Sequence, residues 1–564
     1  MENKEYMLID GNPVEINGEK NLLEVIRKAG IELPTFCYHS ELSVYGACRM
    51  CMVENSHGGM EAACSTVPKA GMEIYTNTER LHKHRKMILE LLLANHCRDC
   101  TTCQKNGKCR LQELASLFGL ESIRFKNLKP EPELDTSSLS IIRDAHKCIL
   151  CGDCVRMCNE IQNVGAIDFV NRGSKMVIGP AFNEPIANSP CVGCGQCAAV
   201  CPTGAIVIRK DTGRVWPELN DKNTKVVAQV APAVRVAMAK EFGLPENVNS
   251  MGRITAALRR LGFDEVYDTA TGADLTVLEE SNEFLQRIEA GENLPLITSC
   301  CPAWIQYCEK NHPELMKNIS TCKSPMQMFS SVIKAKYATS SRRVVCVAVM
   351  PCTAKKFECA REEFMHDGVP ETDYVITTQE LIQMIHKAGI VFEELEPEAV
   401  DSVFSTCTGA GVIFGVTGGV TEAVLRRLST DKSNKALMSI AFNDVRGMKG
   451  VKETTIPYGD KEVRIAIVSG LKNAESVIQA LKNGEHFDFI EVMACPGGCV
   501  AGGGQPFGTN ATKEVRGKAL YSADKMLSIK RSEENPLMLS LYDGVLKGRV
   551  HELLHVHYNH KEEE

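Results

Sequence analysis

The chain has 564 residues, 44% of them apolar and 24% charged, with a formal net charge of −7, which allows about three to five domains with ordinary apolar cores. The negative balance argues against nucleic acid or an anionic membrane surface as partner, and no run of about 18 apolar residues suggests a spanning helix. No basic stretch followed by an apolar one opens the chain, so no signal peptide is expected, and its 26 cysteines then point to metal binding in a reducing, anaerobic cytoplasm rather than to disulfides.

In chain order, residues 5–16 (EYMLIDGNPVEI) read as two short strands about a Gly-Asn turn, and 21–31 (NLLEVIRKAGI) as a helix running into Gly30. Cys37, Cys48, Cys51 and Cys64 follow, spaced Cys-x10-Cys-x2-Cys-x12-Cys. The small residues of YGACRMC leave room for backbone amides to approach cluster sulfurs. Four thiolates on a small β-rich fold suit a [2Fe–2S] centre, with a structural zinc knuckle as the alternative.

Residues 80–96 form an apolar helical stretch ending at His96, followed by CRDCTTCQKNGKC. One ligand set is His96, Cys100, Cys103 and Cys109; another replaces His96 by Cys97. Chemistry alone leaves both open, because imidazole has many roles. The polar, proline-containing 127–138 reads as a linker.

From Cys148 the chain reads CILCGDCVRMC, and from Cys191 CVGCGQCAAVCP. Both are the Cys-x2-Cys-x2-Cys-x3-Cys run of a two-cluster bacterial ferredoxin, in which the fourth cysteine of each run serves the other cluster. Cys148, Cys151, Cys154 and Cys201 would hold one [4Fe–4S] cluster, and Cys191, Cys194, Cys197 and Cys158 the second. A duplicated four-cysteine run is a poor zinc pattern. These runs are those of an electron carrier.

A boundary is expected around 210–222 (RKDTGRVWPELND). Beyond it, strands alternate with helices. KVVAQVAPAVRVAM is a strand entering a loop at Ala231-Pro232, RRVVCVAVMPC (342–352) and VRIAIVSGL (463–471) repeat that theme, and MGRITAALRRLG (251–262) is a helix between them. The pattern predicts an α/β domain with a parallel sheet. TSCCPAW (298–304), VMPCTAKK (349–356) and VMACPGGC (492–499) fall at strand ends or loops, where α/β folds place their sites. Singly each is weak, since a buried cysteine is ordinarily a small hydrophobe. LEESNEFLQR (278–287) sets Glu280, Glu283 and Arg287 at i, i+3 and i+7 on one helix face, ordinarily a solvated charged face with an internal ion pair. GAGVIFGVTGG (409–419) is too glycine-rich for a helix interior and lacks the lysine of a phosphate-cradling loop. No dinucleotide fingerprint follows a strand, so NAD(P) is not expected on this chain.

Taken together, the cysteine array 37/48/51/64, the His-x3-Cys-x2-Cys-x5-Cys run, the two ferredoxin runs and the three C-terminal motifs closely resemble large monomeric [FeFe]-hydrogenases of the clostridial type over essentially the whole chain. The resemblance implies a multidomain α+β and α/β architecture. It comprises a β-grasp ferredoxin-like N-terminus (1–79), a small His/Cys cluster module (80–126), a two-[4Fe–4S] ferredoxin module (127–209) and a large α/β H-cluster domain (210–564). It makes His96 a ligand and Cys97 a spare thiol. It gives Cys301, Cys352, Cys495 and Cys499 to the [4Fe–4S] part of the H-cluster, with Cys499 bridging to a two-iron subsite bearing carbonyl, cyanide and azadithiolate. Lys355 would donate to a cyanide, while Pro232, Pro325, Met350 and Met493 line the pocket and the 409–419 stretch closes backbone around it. Cys300, Glu280, Ser320, Glu283 and Arg287 would form the proton relay.

The activity so implied is the reversible reduction of protons to H2. It would use one [2Fe–2S] cluster, three accessory [4Fe–4S] clusters and the H-cluster, with ferredoxin or flavodoxin as electron partner and maturation proteins supplying the two-iron unit. Two other settings compete. One is the hydrogenase subunit of an NAD(P)-linked electron-bifurcating complex with a flavoprotein. The other is a non-catalytic conduit like the iron–sulfur arm of NADH dehydrogenases, which leaves the three C-terminal motifs unexplained. A hydrogen sensor fits poorly with a complete relay. Cys308, Cys322 and Cys346 are expected in the core, Cys407 near the pocket, and Cys359 has no assigned role.

Overall fold

The computed structural model describes residues 5–127, 133–429, 446–447, 450–458 and 461–558; residues 128–132 of the expected linker lie outside them. The chain divides into two units, one of residues 1–161, 165–189 and 200–207, the other of 162–164, 190–199 and 208–564.

In the first unit, β1 (Glu5–Ile9) and β2 (Asn12–Ile16) form a hairpin. Its turn falls at Asp10-Gly11, both with positive φ, one residue before the expected Gly-Asn pair and in the geometry that suits the twist of paired strands. With β3 (Met52–Asn55), β4 (Met60–Ala62) and β5 (Glu73–Tyr75) they make a mixed sheet in the order β2-β1-β5-β3-β4, with β1 parallel to β5. Helix α1 (Leu22–Lys28), capped by the Asn21 side chain on the Glu24 N–H, buries Leu22, Leu23, Val25 and Ile26 with Met7, Ile9, Val53 and Ile74. This is the expected β-grasp, ferredoxin-like arrangement. Helix α2 (Glu79–Ala94) is tied to the cysteine-bearing loop by buried Arg85, which donates to the carbonyls of Met50 (3.3 Å), Met52 (2.8 Å) and Thr76 (3.0 Å). Helix α3 (Arg110–Leu117) follows Cys109.

The second unit adds detail to two expectations. The boundary stretch is itself a helix, α4 (Thr212–Asn220), despite Pro217. Burial of Val215 in the core outweighs its poor propensity. And the α/β pattern with parallel strands, as expected, is divided between two sheets. Strands β6 (Thr224–Val230), β7 (Glu265–Asp268), β8 (Leu296–Ile297), β9 (Arg343–Met350), β10 (Tyr374–Thr377), β11 (Val451–Tyr458), β12 (Lys461–Ser469) and β13 (Phe489–Met493) form them in the orders β7-β6-β9-β10 and β8-β13-β12-β11. The first is wholly parallel; in the second, only β11 runs antiparallel to its neighbour. Near-continuous apolar runs such as VVCVAVM in β9 are the mark of strands covered on both faces. Between strands lie α5 (Met251–Leu261), α6 (Ala270–Ala290), α7 (Pro302–Asn311) and α8 (Pro325–Lys336), and later α9 (Gly419–Leu428). Registers such as Val230↔Val349 and Ser469↔Met493 bring strand C-termini level within each sheet. Among the described residues, no helix is long and apolar enough to cross a membrane.

Candidate functional site

The C-terminal ends of β6, β8, β9 and β13 feed one cavity of about 90 Å³. Ala231 and Pro232 follow β6, Cys300 and Cys301 follow β8, Met350, Pro351 and Cys352 end and follow β9, and Met493, Ala494 and Cys495 end and follow β13. Cys499 and Pro325, the first residue of α8, complete the wall, so every pocket residue expected from the sequence lines it. The lining is almost entirely apolar or sulfur-bearing. Burial pushes the thiols of Cys301, Cys495 and Cys499 up and that of Cys352 to about 11, and each is pushed further by neighbouring cysteines or opposed by only a few hydrogen bonds and by Lys355. Four such thiols can lose their protons together only against a cationic centre, so the donor set fits an iron–sulfur cubane.

Local backbone explains why these residues meet. Gly498 has φ +87°, and a Cβ there would sit 2.6 Å from the Thr417 N atom, so the turn between Cys495 and Cys499 closes only with glycine. The 409–419 stretch is helical where an irregular loop was expected, with an α-turn at Gly409–Val412 and a 3-10 turn at Ile413–Gly415. Its glycines serve close approach: a Cβ on Gly411 would lie 2.3 Å from the Ala270 carbonyl oxygen of α6. Phe414 and Gly415 do reach the cavity. Buried Lys355 donates to Glu358 Oε2 (2.7 Å) and to the Cys300 carbonyl (3.3 Å). Burial pulls its pKa down, but the Glu358 carboxylate outweighs that and holds it above the ordinary value. The cavity wall therefore carries a fixed positive charge.

Glu280, Glu283 and Arg287 lie along α6, whose first half is buried and whose last turns reach the surface, while Cys300 and Ser320 come from segments after it. Glu280 is wholly buried, and neither of its oxygens makes a hydrogen bond of full geometry, with the Ser320 hydroxyl and the Ser299 backbone nearby only weakly opposing its burial. Burial, then the nearby charge of Glu283, raises it to about 8. This is not the solvated face that spacing alone suggests. Glu283 and Arg287, by contrast, do form the expected ion pair (2.5 Å). Ser320 donates to Glu283 Oε2 (2.9 Å), and Arg287 also donates to the carbonyls of Asn293, Asn318 and Ile319. Cys300 lines the cavity within electrostatic reach of Glu280, which pushes its thiol further up after burial. Among the described residues, hydrogen bonds join Ser320, Glu283 and Arg287, while none joins Cys300 to Glu280.

Several of the accessory cysteines also come together within one unit. Hydrogen bonding between Cys37 and Cys48 drives Cys48 down to about 6 and Cys37 up; Cys51 and Cys64 form the second such pair, and Cys37 and Cys48 act electrostatically on Cys64. Cys148, Cys151 and Cys154 share a cavity with Cys201, the interleaved partner from the second run. Cys191, Cys194 and Cys197 lie in the second unit and Cys158 in the first. The 191–197 loop is clamped onto the site: Thr353 donates to the Gly193 carbonyl (2.7 Å), Gln196 to that of Ala501 (3.0 Å) and Lys310 to that of Cys191 (2.9 Å). Cys100 and Cys103 act electrostatically on Cys109, whereas Cys97 faces Lys147, Asp99 and Asp144. His96 is buried, with Nδ1 accepting from the Arg98 N–H (3.2 Å).

Cys308, Cys322 and Cys346 sit in apolar clusters. Cys407 does not line the cavity; its thiol donates to Asp268, which is paired with buried Arg235. Sequence reasoning missed Thr321, His555 and Glu279, which gather about Glu283, because His555 is 276 residues from Glu279 in the chain and carries no motif.

Residues 224–503 match the C-terminal domain of the iron-only hydrogenase large subunit, and 510–561 match the iron hydrogenase small subunit. Residues 6–79 match a 2Fe-2S cluster-binding domain, 85–124 the NADH-ubiquinone oxidoreductase-G iron–sulfur region and 147–209 a 4Fe-4S dicluster domain. The chain is 41% identical to the NADP-reducing hydrogenase subunit HndD of Solidesulfovibrio fructosivorans, over 98% of each chain. It is 35% identical to iron hydrogenase 1 of Clostridium pasteurianum, over 98% of this chain and 99% of that one. A solved variant of the [FeFe]-hydrogenase HydA1 from Chlamydomonas reinhardtii superposes with a TM-score of 0.54 at 36% identity, covering 62% of this chain and 98% of that one.

Proposed function

On the premise that this chain belongs to the iron-only hydrogenases, oxidoreductases acting on H2 with accessory 2Fe-2S and 4Fe-4S domains, we propose how its own residues divide the work. Cys301, Cys352, Cys495 and Cys499 hold the cubane of the H-cluster. When bound, that cofactor supplies the metal chemistry that interconverts H2 with two protons and two electrons. Pro232, Pro325, Met350 and Met493 keep water out of the cavity, and Lys355 offers its charge to an anionic ligand there. Cys300 exchanges a proton at its Sγ with Glu280, which passes it through Ser320 to Glu283 and past Arg287 to solvent. The observation that carries the reading is the convergence of all three cysteine motifs, with Cys300 and Lys355, on one cavity at the strand ends. Anaerobically matured protein should evolve H2 from a reduced low-potential dye; inactivity with every cluster loaded would oppose it.

The state of Glu280 predicts a pH dependence. A carboxyl raised to about 8 keeps its proton below that pH and is emptied above it. Hydrogen evolution under excess reductant should hold below about pH 8 and fall beyond it, while hydrogen oxidation, which needs an empty acceptor, should gain. Parallel profiles for both directions across that region would contradict the assignment.

His96, Cys100, Cys103 and Cys109 form the ligand set of the second accessory cluster in this reading, supported by the mutual electrostatic influence of Cys100, Cys103 and Cys109; Cys97, whose Sγ lies 4.0 Å from His96 Nδ1, stays outside it. A neutral imidazole makes a cluster less negative than a fourth thiolate does. His96→Cys should lower the potential of one [4Fe–4S] centre in a redox titration followed by electron paramagnetic resonance. An unchanged set of potentials would remove His96 from the ligands.

Electrons come from a reduced ferredoxin or flavodoxin in the cytoplasm, and maturation proteins supply the two-iron unit. The relative named as a subunit of an NADP-reducing hydrogenase favours a second setting, in which a flavoprotein partner exchanges electrons with NAD(P). Turnover of the isolated chain with ferredoxin alone separates the two from activity that needs a co-purifying flavoprotein.

A further inference from the structure

Glu283 is bonded on a second side. Thr321 donates to it through its N–H (3.0 and 3.1 Å) and through its hydroxyl (3.1 Å to Oε2). The Thr321 hydroxyl lies 2.8 Å from His555 Nδ1, and His555 Nε2 lies 3.1 Å from Glu279 Oε2. Tyr542 donates to the other oxygen of Glu279. The side chain of His555 is only 7% exposed, and its ring lies tilted at 4.7 Å against that of exposed His551 one turn earlier. We propose that Thr321 and His555 form a second proton branch from Glu283 to the surface, parallel to the one past Arg287. The branch rests on the relay reading through Glu283.

The bonds define one arrangement of protons suited to inward transfer. Thr321 has one hydroxyl proton for two neighbours: when it goes to the Glu283 carboxylate, His555 Nδ1 donates to Thr321. Nε2 faces a carboxylate oxygen, so it too needs a proton unless Glu279 carries one. In that arrangement the His555–Glu279 pair holds a transferable proton. Inward transfer moves Nδ1–H to the Thr321 oxygen while the Thr321 proton passes to Glu283. The hydroxyl ends unchanged, and the imidazole keeps its Nε2 proton until solvent resupplies one. Imidazole is the side chain whose ordinary titration suits such exchange near neutrality. Facing His555 are Glu279 from α6, Glu283 beyond Thr321, the Cys322 backbone paired with it and its thiol, which donates to Glu283 Oε2 (3.8 Å), and His551.

His555→Ala in the matured holoenzyme should slow hydrogen evolution in weak buffer by about tenfold, less than the ~10²-fold or more of losing a sole proton donor. Added imidazole should restore the rate, with cluster content unchanged. An undiminished rate, or a loss that imidazole does not restore, would overturn the branch. Glu283→Gln separates this failure from that of the parent reading: full activity in that variant would sink the relay itself, whatever His555 does.

Discussion

Glu280→Gln is expected to cut hydrogen turnover by about two to four orders of magnitude while every cluster stays in place. Glu280 lies within electrostatic reach of the cavity thiol Cys300 and of the hydrogen-bonded Ser320–Glu283–Arg287 group, wholly buried and without a hydrogen bond of full geometry. Glutamine matches its shape but can neither take nor give a proton in turnover. Folding should not suffer. Between about 4.5, the ordinary value, and about 8, the wild type must release a proton on unfolding, so its buried acid loses stability as pH rises through that window. Below the window both states are protonated and the substitution is neutral; within it the variant gains. A rate within a few-fold of wild type, with clusters intact, would take Glu280 out of the path.

Cys499→Ala should abolish activity by a different route. Its sulfur lines the cavity among Cys301, Cys352 and Cys495, so the variant should lose the iron of one cubane and with it any two-iron unit. Signals from the accessory clusters should persist. Cys346→Ala is the matched control, a buried cysteine packed in an apolar cluster away from the cavity. It should cost stability of order 1 kcal/mol and leave turnover alone. Retained activity in Cys499→Ala would break the ligand assignment.

Much of this site was legible because cluster ligation demands cysteines at fixed spacing, and spacing survives in one dimension. The interleaving of Cys201 with Cys148, Cys151 and Cys154 followed from the run alone. Strand ends at Ala231, Cys300, Cys352 and Cys495 could be read from apolar runs stopping at Pro or Cys. What spacing cannot carry is burial. The i, i+3, i+7 pattern of Glu280, Glu283 and Arg287 is the same whether α6 lies in water or in the core, and only packing makes Glu280 a raised acid. The 409–419 glycines read as loop formers because their helical purpose, contact with the Ala270 carbonyl, is tertiary. The split into two sheets depends on pairings such as Ile297↔Ile490, between residues far apart in the chain. His555 was invisible for the same reason.

The most direct test of the catalytic assignment is an infrared spectrum of protein produced anaerobically with its maturation machinery, taken with and without H2. Terminal carbonyl and cyanide bands that shift under H2 are predicted, since the thiols of Cys301, Cys352, Cys495 and Cys499 and the charge of Lys355 frame a site for an organometallic unit. Absence of those bands, with all iron–sulfur clusters loaded and a known hydrogenase matured in parallel, would contradict it and leave only an electron conduit.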